Sequence, residues 1–402
     1  MSSTNTTNTT KPHVLMWARE SAGLSREEAA QASGISLRYL TAIERGKIAA
    51  TRPQLSAMSE AYKRSIVCFY FFEPPQCGEP VRDLRTQVTA RNMEQSHDVE
   101  VLIQDLLERH ALLKHALAHE GCVPKLDWIG STHTSSGAKA LCDQLEQHLG
   151  LDRIVLRDAP TLEDAFLFMK QSMESLGIAV MISGHVSFHH AIMPARLYRS
   201  FSVIDPMLPV ISINENLPIA DWLFTMIHEM AHLLIGESGV EGLGLDDTED
   251  KRIEMFCDDV AAEFLLPLAD LQRLNIATLP QSSQLQRITE AATAWKVSPQ
   301  TLAFRLFRAG LLSETVWREL FEAMQALWRQ DFKVNREYVH EKLHALTEYD
   351  IRCLRLGPVL LNATERALFT RAISATEAGK VLGIQARKVA ALLAHAYEAR
   401  TS

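Results

Sequence analysis

Apolar and polar positions along the chain follow two periods, which separate helical stretches from extended ones. Between Val14 and Tyr62 apolar residues recur every three or four positions in short runs broken by turns, which predicts a compact group of short helices. From residue 138 onward longer helical runs follow. Three short runs are β-like: 177–183, 201–204 and 208–213. The pattern predicts an α+β fold that is mainly helical, with a small sheet.

Turn residues and composition shifts divide the chain into five predicted parts. In chain order these are a disordered tail (1–12), a helix-turn-helix module (13–72), a helical connector and linker (73–137), a mixed domain with the small sheet (138–275) and a helical region (276–402). Within the last part, Ile288–Leu306 and Ile373–Leu393 repeat a helix, turn, helix rhythm. The C-terminal region is therefore predicted to hold helix-turn-helix-like segments.

The N-terminal module carries the turn signals of a helix-turn-helix. Ser25 and Ser36 suit helix N-caps and Gly34 suits the tight turn between them, so the second helix is predicted at 36–44. The first residues of such a helix reach DNA bases, and basic side chains nearby reach phosphates. The predicted DNA-contacting residues are Arg26, Ser36, Arg38, Tyr39 and Thr41.

Charge is consistent with DNA contact at this end alone. The chain has a net charge of −8, yet residues 13–66 hold eight Lys and Arg against five Asp and Glu. Duplex DNA is therefore an expected partner of residues 13–66 only. The alternative is that the module docks a protein or another part of this chain.

Several classes of protein are excluded by composition. The longest apolar run, Ile66–Phe72, is far shorter than the roughly 20 residues of a membrane helix, so no membrane association is expected. The six cysteines form no Cys-x-x-Cys pair, which argues against a disulfide framework or a thiolate zinc cluster. Cysteines used in this way suit a reducing compartment, so a cytoplasmic location is expected. Residues 1–12 show no targeting pattern.

The strongest chemical signal is His228-Glu229-Met230-Ala231-His232 within an apolar helix predicted at 221–236. Residues four apart share one helix face, so both histidines can bind one Zn²⁺ with Glu229 beside it as general base. These three are the ionisable residues between Trp222 and Gly236. Burying them costs several kcal/mol unless each has a partner, and one zinc ion per chain satisfies all three.

A second helix, predicted at 251–266, supplies the remaining candidates. Glu254 is the expected third metal ligand, and Asp258, one turn later, is expected to hydrogen-bond the far nitrogen of a zinc histidine. Three protein ligands leave one position open, as in catalytic zinc sites. The competing interpretation of these acidic residues is a solvated helix edge.

These motifs resemble a known family. The stretch 18–46 resembles an Xre-type helix-turn-helix, and Phe224–Pro267 resembles the ImmA/IrrE zinc metallo-endopeptidases. Further similarity lies in 67–75, in 199–202 and in 261–267. The resemblance implies a gluzincin-like metallopeptidase domain at 138–275, with His228, His232 and Glu254 as ligands and Glu229 as base. It also implies a protein substrate, a cognate transcriptional repressor whose cleavage turns on stress-response or mobile-element genes.

One departure from the family concerns the second helix. The family commonly has Glu-x-x-Ala-Asn there, where this chain has Glu254-Met255-Phe256-Cys257-Asp258. The run 208–213, just before the motif helix, is also a candidate edge strand for a substrate peptide. Two other functions remain open: a DNA-binding regulator with a structural or sensory zinc, and a toxin-antitoxin component that acts by binding alone.

Overall fold

A computed structural model describes residues 10–22, 24–62, 69, 93–118, 125–150, 153–183, 198–237, 240–241, 248–324 and 347–401. Residues 1–9 of the predicted tail, 63–68 and 70–72 of the predicted helix-turn-helix module, and 73–92 and 119–124 of the predicted connector lie outside these ranges. Within them no helix is both long and apolar enough to span a bilayer. The chain forms two compact units, 1–123 with 185–191 and 364–389, and 124–184 with 192–363 and 390–402.

The first unit contains the N-terminal helical module. Its helices are α1 (Pro12–Ser21), α2 (Arg26–Ser33), α3 (Leu37–Glu44), α4 (Arg52–Tyr62) and α5 (Met93–Ala118). Ser25 and Glu28 form a reciprocal capping box at the start of α2, and Gly34 ends that helix in the left-handed conformation at φ 65°. Leu40 and Ile43 of α3 are buried. The helix-turn-helix prediction is confirmed, with α3 starting at Leu37 because Ser36 is its N-cap.

The second unit holds a four-stranded sheet in the order β1-β3-β2-β4. The strands are β1 (Ala179–Ser183), β2 (Ser200–Val203), β3 (Val210–Asn214) and β4 (Val240–Glu241). β1 runs parallel to β3, while β2 is antiparallel to both β3 and β4. β3 is therefore paired on both sides, and the expectation that 208–213 forms an edge strand for substrate is wrong.

Helices cover this sheet and carry the zinc-motif residues. They are α6 (Ala138–Leu149), α7 (Arg153–Asp158), α8 (Leu162–Ser175), α9 (Ile219–Ile235) and α10 (Thr248–Leu265). α9 contacts α8, β2 and β3, and α10 packs on both α9 and α6. Ala231 and Ala261 are fully buried in this core, where their small side chains permit close helix packing. The mainly helical α+β fold is confirmed.

A segment before α6 closes the C-terminal end of α9. The backbone N–H groups of Gly130 and Thr132 donate to the carbonyls of Leu233 and Leu234, at 2.9 and 3.1 Å. These carbonyls lie in the last turn of the helix, where intrahelical donors run out. Residues 124–137 belong to the second unit, while the predicted domain start at residue 138 stays a prediction.

The described part of the C-terminal region, 276–324 and 347–401, is mainly helical, as predicted. Its helices are α11 (Leu268–Arg273), α12 (Gln281–Ala294), α13 (Pro299–Arg308), α14 (314–324), α15 (Glu348–Phe369), α16 (Ala375–Val381) and α17 (Ala386–Thr401). α15 is interrupted at Gly357, whose φ of 72° breaks the helix just before Pro358.

Candidate metal centre

α9 presents two imidazole rings at one point. His228 and His232 lie one turn apart, and their Nε2 atoms are 3.1 Å from each other. Both residues and Glu229 between them are almost fully buried, as the apolar surroundings in the sequence predicted. The helical spacing alone therefore accounts for the convergence of the two histidines.

α10 brings a carboxylate to the same point. Glu254 places Oε2 at 3.1 Å from Nε2 of His228 and Oε1 at 3.5 Å from Nε2 of His232. One ligand atom from each of the three residues lies within 4.8 Å of the others. Asp258 lies on the other side of His228, with Oδ1 3.0 Å from Nδ1. Every metal-site residue predicted from the sequence is thus gathered at the contact of α9 with α10.

The hydrogen bonds on the far side of each ring fix where its proton lies. Nδ1 of His232 is 2.7 Å from the carbonyl oxygen of Glu237, and a carbonyl only accepts, so this nitrogen carries the proton. Nδ1 of His228 faces the carboxylate of Asp258 and donates to it in the same way. In the neutral rings both Nε2 atoms then carry lone pairs.

These lone pairs face each other and the carboxylate of Glu254, with no proton to share among the three groups. Three electron-pair donors held this close repel one another unless a cation lies between them. Two neutral imidazoles and one carboxylate are a ligand set that zinc takes in catalytic sites. The residues present therefore fit a divalent metal ion, and they fit zinc by their chemistry.

The position of Glu254 beside the two histidines also determines its ionisation state. Burial alone would raise the pKa of this carboxyl group. With no metal bound, a proton taken up at Nε2 of His228 or His232 gives the carboxylate a hydrogen bond and an opposite charge, which lower its pKa to about 2. The carboxylate is therefore ionised across the whole physiological pH range. An ionised carboxylate is the form that binds a metal ion.

Glu229 is held from the sheet. Ser200 at the start of β2 donates a 2.6 Å hydrogen bond from Oγ to Oε1 of Glu229, while Oε2 is buried and has no hydrogen-bond partner within the described part of the chain. Burial raises the pKa of Glu229, while the two histidines and the hydrogen bond from Ser200 lower it. This role of Ser200 could not be predicted from the sequence. The contact joins a strand and a helix that are distant along the chain, and hydrophobic periodicity does not reveal such contacts.

The predicted DNA-contacting residues differ in how far they are engaged inside the first unit. Arg26 pairs with Glu44 at 2.7 Å, Ser36 caps α3 by accepting from the backbone of Tyr39, and the hydroxyl of Thr41 donates to the carbonyl of Leu37. By contrast, the side chains of Arg38 and Tyr39 are exposed at the start of α3. Arg38 and Tyr39 are therefore the two best placed to reach a base.

Comparison with protein families finds two matches in the chain. Residues 15–67 match the helix-turn-helix family, and residues 174–307 match the IrrE N-terminal-like domain, a peptidase family. The second match covers β1 to α13 and includes every residue of the candidate metal centre. No curated protein and no solved structure matches the chain.

The fold, the candidate metal site and the two family matches define the class of this protein. It is metallopeptidase-like and has a helix-turn-helix of the DNA-binding kind near its N-terminus. A candidate site of two histidines and a glutamate lies within the peptidase-type domain, and these residue types can bind a divalent metal ion. With the two domains in this order, the chain has the domain architecture of the ImmA/IrrE family.

Proposed function

We propose that the chain is a zinc-dependent endopeptidase, with His228, His232 and Glu254 as metal ligands and Glu229 as the catalytic base. The observation that carries the proposal is the convergence of two ring nitrogens and a carboxylate group beside a buried glutamate, Glu229, that is not among these three groups. Zinc in this position would act as a Lewis acid toward a peptide carbonyl and would make water more acidic.

The side chains around the metal have separate tasks in this proposal. Asp258 accepts from Nδ1 of His228 and the carbonyl of Glu237 accepts from Nδ1 of His232, which orients both rings and keeps their Nε2 atoms available. Glu229 takes a proton from water as the new C–O bond forms. It returns that proton to the amine nitrogen as the peptide C–N bond breaks, so protons balance over the cycle.

The position of Glu229 also bears on the choice between a catalytic and a purely structural zinc. Structural sites are closed by four protein ligands, whereas among the described residues three ligand atoms meet at this point. A buried carboxylate beside such a site, with one oxygen unpaired in the described part of the chain, is costly to maintain for structure alone. It is useful as a base.

We further propose that the substrate is a protein, a cognate transcriptional repressor, and that its cleavage turns on stress-response or mobile-element genes. The N-terminal helix-turn-helix supports a regulatory setting, since it supplies a means to act near DNA. The competing function is a DNA-binding regulator in which zinc is structural or sensory and no bond is cut.

The decisive experiment incubates the purified full chain and zinc with the repressors encoded beside its gene. Discrete fragments are expected with the wild-type protein and none with Glu229→Gln, although both bind zinc. Asp221→Asn, a change in the first turn of the same helix, is the matched control and leaves cleavage intact. Normal gene regulation in cells carrying Glu229→Gln would contradict the peptidase and favour the regulator.

Metal analysis tests the ligand set separately. About one zinc ion per chain is expected, as for a single three-ligand site. His228→Ala and Glu254→Ala are both expected to lose it. Zinc retained at full stoichiometry and affinity in Glu254→Ala would contradict the assignment of Glu254 as a ligand.

A further inference from the structure

The sequence pattern of the N-terminal helix-turn-helix recurs near the C-terminus. Six residues recur in the same order and at the same intervals. They are Ser25, Glu28, Ala29, Gly34, Ile35 and Arg38 in the first copy, and Ser374, Glu377, Ala378, Gly383, Ile384 and Arg387 in the second. The second set spans α16, the turn after it and the start of α17.

The two segments also share their backbone conformation at the helix cap and at the turn. Ser374 and Glu377 form a reciprocal capping box at the start of α16, as Ser25 and Glu28 do at the start of α2. Gly383 has φ 66° and Gly34 has φ 65°, so both turns pass through the left-handed region that favours glycine. The second segment therefore has the cap and the turn of a helix-turn-helix.

The two helices of the second segment are in close contact. A Cβ atom on Gly379 would lie 2.8 Å from the carbonyl oxygen of Ile384 and 3.1 Å from the nitrogen of Ala386. The middle of α16 thus touches the start of α17 backbone to backbone, which a side chain on residue 379 would prevent. Two helices crossing at a tight, glycine-containing turn are the geometry that places a recognition helix in DNA.

The residue before α17 and the first turn of that helix expose side chains suited to reading bases. Gln385, Ala386 and Arg387 are exposed, and Arg387 occupies the place that Arg38 has in α3. Nε of Arg387 donates to Oε1 of Gln385 at 2.9 Å, so the two side chains are held side by side. Arginine pairs with guanine and glutamine with adenine in the major groove.

Local charge favours a polyanionic partner for this surface. Residues 371–388 contain four basic side chains and one acidic one, while the corresponding window 22–39 contains two of each. Of the four, Arg371 and Arg387 are exposed and Lys388 is half-buried, whereas Nζ of Lys380 is buried. The single acidic residue, Glu377, is occupied by its capping box. In a chain with a net charge of −8, this segment is a local basic patch that attracts phosphates.

A third helix-turn-helix shape, formed by α12 and α13, provides a contrast. Lys296 takes the left-handed turn position at φ 59°, and Ser298 caps α13. There the position of Arg387 is held by Gln300, which is half-buried. Two arginines further along α13 pair with carboxylates of α10, Arg305 with Glu263 and Arg308 with Asp259. The basic side chains of α13 thus serve packing within the peptidase-type domain.

We propose that α16 and the start of α17 form a second binding site for duplex DNA, with Arg387 and Gln385 facing the major groove. This site is separate from residues 13–66 and does not depend on peptide hydrolysis. It gives the chain two DNA-binding surfaces, one on each side of the peptidase-type domain in the sequence.

Fluorescence anisotropy of the full chain with a labelled random-sequence duplex of about 30 bp, long enough for several turns of the groove, tests the proposal. Four proteins are compared: wild type, Arg38→Glu, Arg387→Glu and the double variant. Arg38→Glu is expected to keep part of its DNA binding, and the double variant to bind at least about tenfold more weakly than Arg38→Glu. The slope of log K against log salt concentration is expected to be smaller by about one unit in the double variant than in Arg38→Glu, because one phosphate-attracting charge is lost.

Two controls separate the site from unspecific effects. Arg273→Glu reverses one exposed charge on α11, far from α16 in sequence, and is expected to leave binding unchanged. Arg387→Gln removes the charge but keeps helix propensity, and an unchanged circular dichroism spectrum establishes that α17 folds. Equal DNA binding by Arg38→Glu and the double variant would overturn the proposal.

Discussion

Ser200 Oγ lies 2.6 Å from Oε1 of Glu229 and donates a hydrogen bond across the contact between β2 and α9. Ser200 is fully buried, so no solvent molecule can replace its hydroxyl without rearrangement of the sheet. The sheet therefore orients the proposed base, while the two helices gather the proposed metal ligands.

Ser200→Ala is expected to lower the turnover of peptide cleavage about ten- to hundredfold, because a hydrogen bond to a charged group contributes about 1.5–3 kcal/mol. Zinc content and KM are expected to stay near their wild-type values, since Ser200 does not contact the three ligands. The measurement is kcat and KM on the repressor found in the cleavage assay.

Ser212→Ala is the matched control, because Ser212 is a buried strand serine whose hydroxyl bonds Tyr198 and Ser183 instead of Glu229. Both variants lose a buried hydroxyl, but only Ser200→Ala removes the contact to the base. An equal loss of kcat in both variants would mean that Ser200 acts only through general packing.

Gly236→Ala is expected to destabilise the end of α9 by about 1–3 kcal/mol, because alanine is strained at positive φ and a steric clash with the backbone of Gly130 adds to it. Gly236 has φ 74°, and a Cβ there would lie 2.9 Å from Cα of Gly130. Its N–H also bonds the carbonyl of His232, so the strain acts one turn from a proposed ligand. Urea unfolding measures the loss, and zinc titration is expected to show weaker binding.

Gly150→Ala provides the comparison for this effect. Gly150 ends α6 in the same left-handed conformation, at φ 60°, but no atom lies within 4 Å of a Cβ built there. This variant is expected to lose less stability than Gly236→Ala and to bind zinc normally. If the two variants lose the same stability, the contact of Gly130 with Gly236 does not constrain the helix.

The parts of this architecture that the sequence predicts are those set by local geometry. Helical periodicity places His228 and His232 together. Ser25, Gly34 and Ser36 indicate two helix caps and a turn, which depend on neighbouring residues alone. Glu254 was predictable because its helix follows a metal motif. Each of these inferences needs only the geometry of one helix or one turn.

What could not be predicted depends on pairing between distant segments. β4 is two residues long and too short for any periodicity, and the parallel pairing of β1 with β3 decides that β3 is interior. The left-handed backbone at Lys296 is equally hidden, because lysine carries no signal for positive φ. Such features are fixed by packing, which a single sequence does not report.

Zinc is expected to stabilise the folded chain, because the three facing donor groups repel one another without a cation. At a free zinc concentration about 1,000 times Kd the gain is about 4 kcal/mol, and a chelator is expected to remove it. Differential scanning calorimetry with and without chelator measures the change. His133→Ala, which removes an exposed histidine elsewhere in the unit, is expected to keep the whole gain. A gain of the same size in Glu254→Ala would contradict the proposed site.

A pH effect on stability is expected at the start of α15. Hydrogen bonds from the side chain of Thr347, from His395 and from the backbone of Thr347 lower the pKa of Asp350 from 3.8 to about 2. A carboxyl group with a depressed pKa in the folded state adds stability above its unfolded pKa and loses that contribution as pH falls. The contribution of Asp350 is therefore present above about pH 4 and disappears toward pH 2.

Asp350→Asn is accordingly expected to unfold at lower urea than the wild type at pH 6, with the difference shrinking between about pH 4 and pH 2. Urea midpoints measured across this range at constant ionic strength test the expectation. His395→Ala removes one of the hydrogen bonds to Asp350, at 2.6 Å, and is expected to reproduce part of the effect. A difference between wild type and Asp350→Asn that stays constant with pH would show that these contacts favour the neutral and ionised carboxyl group equally.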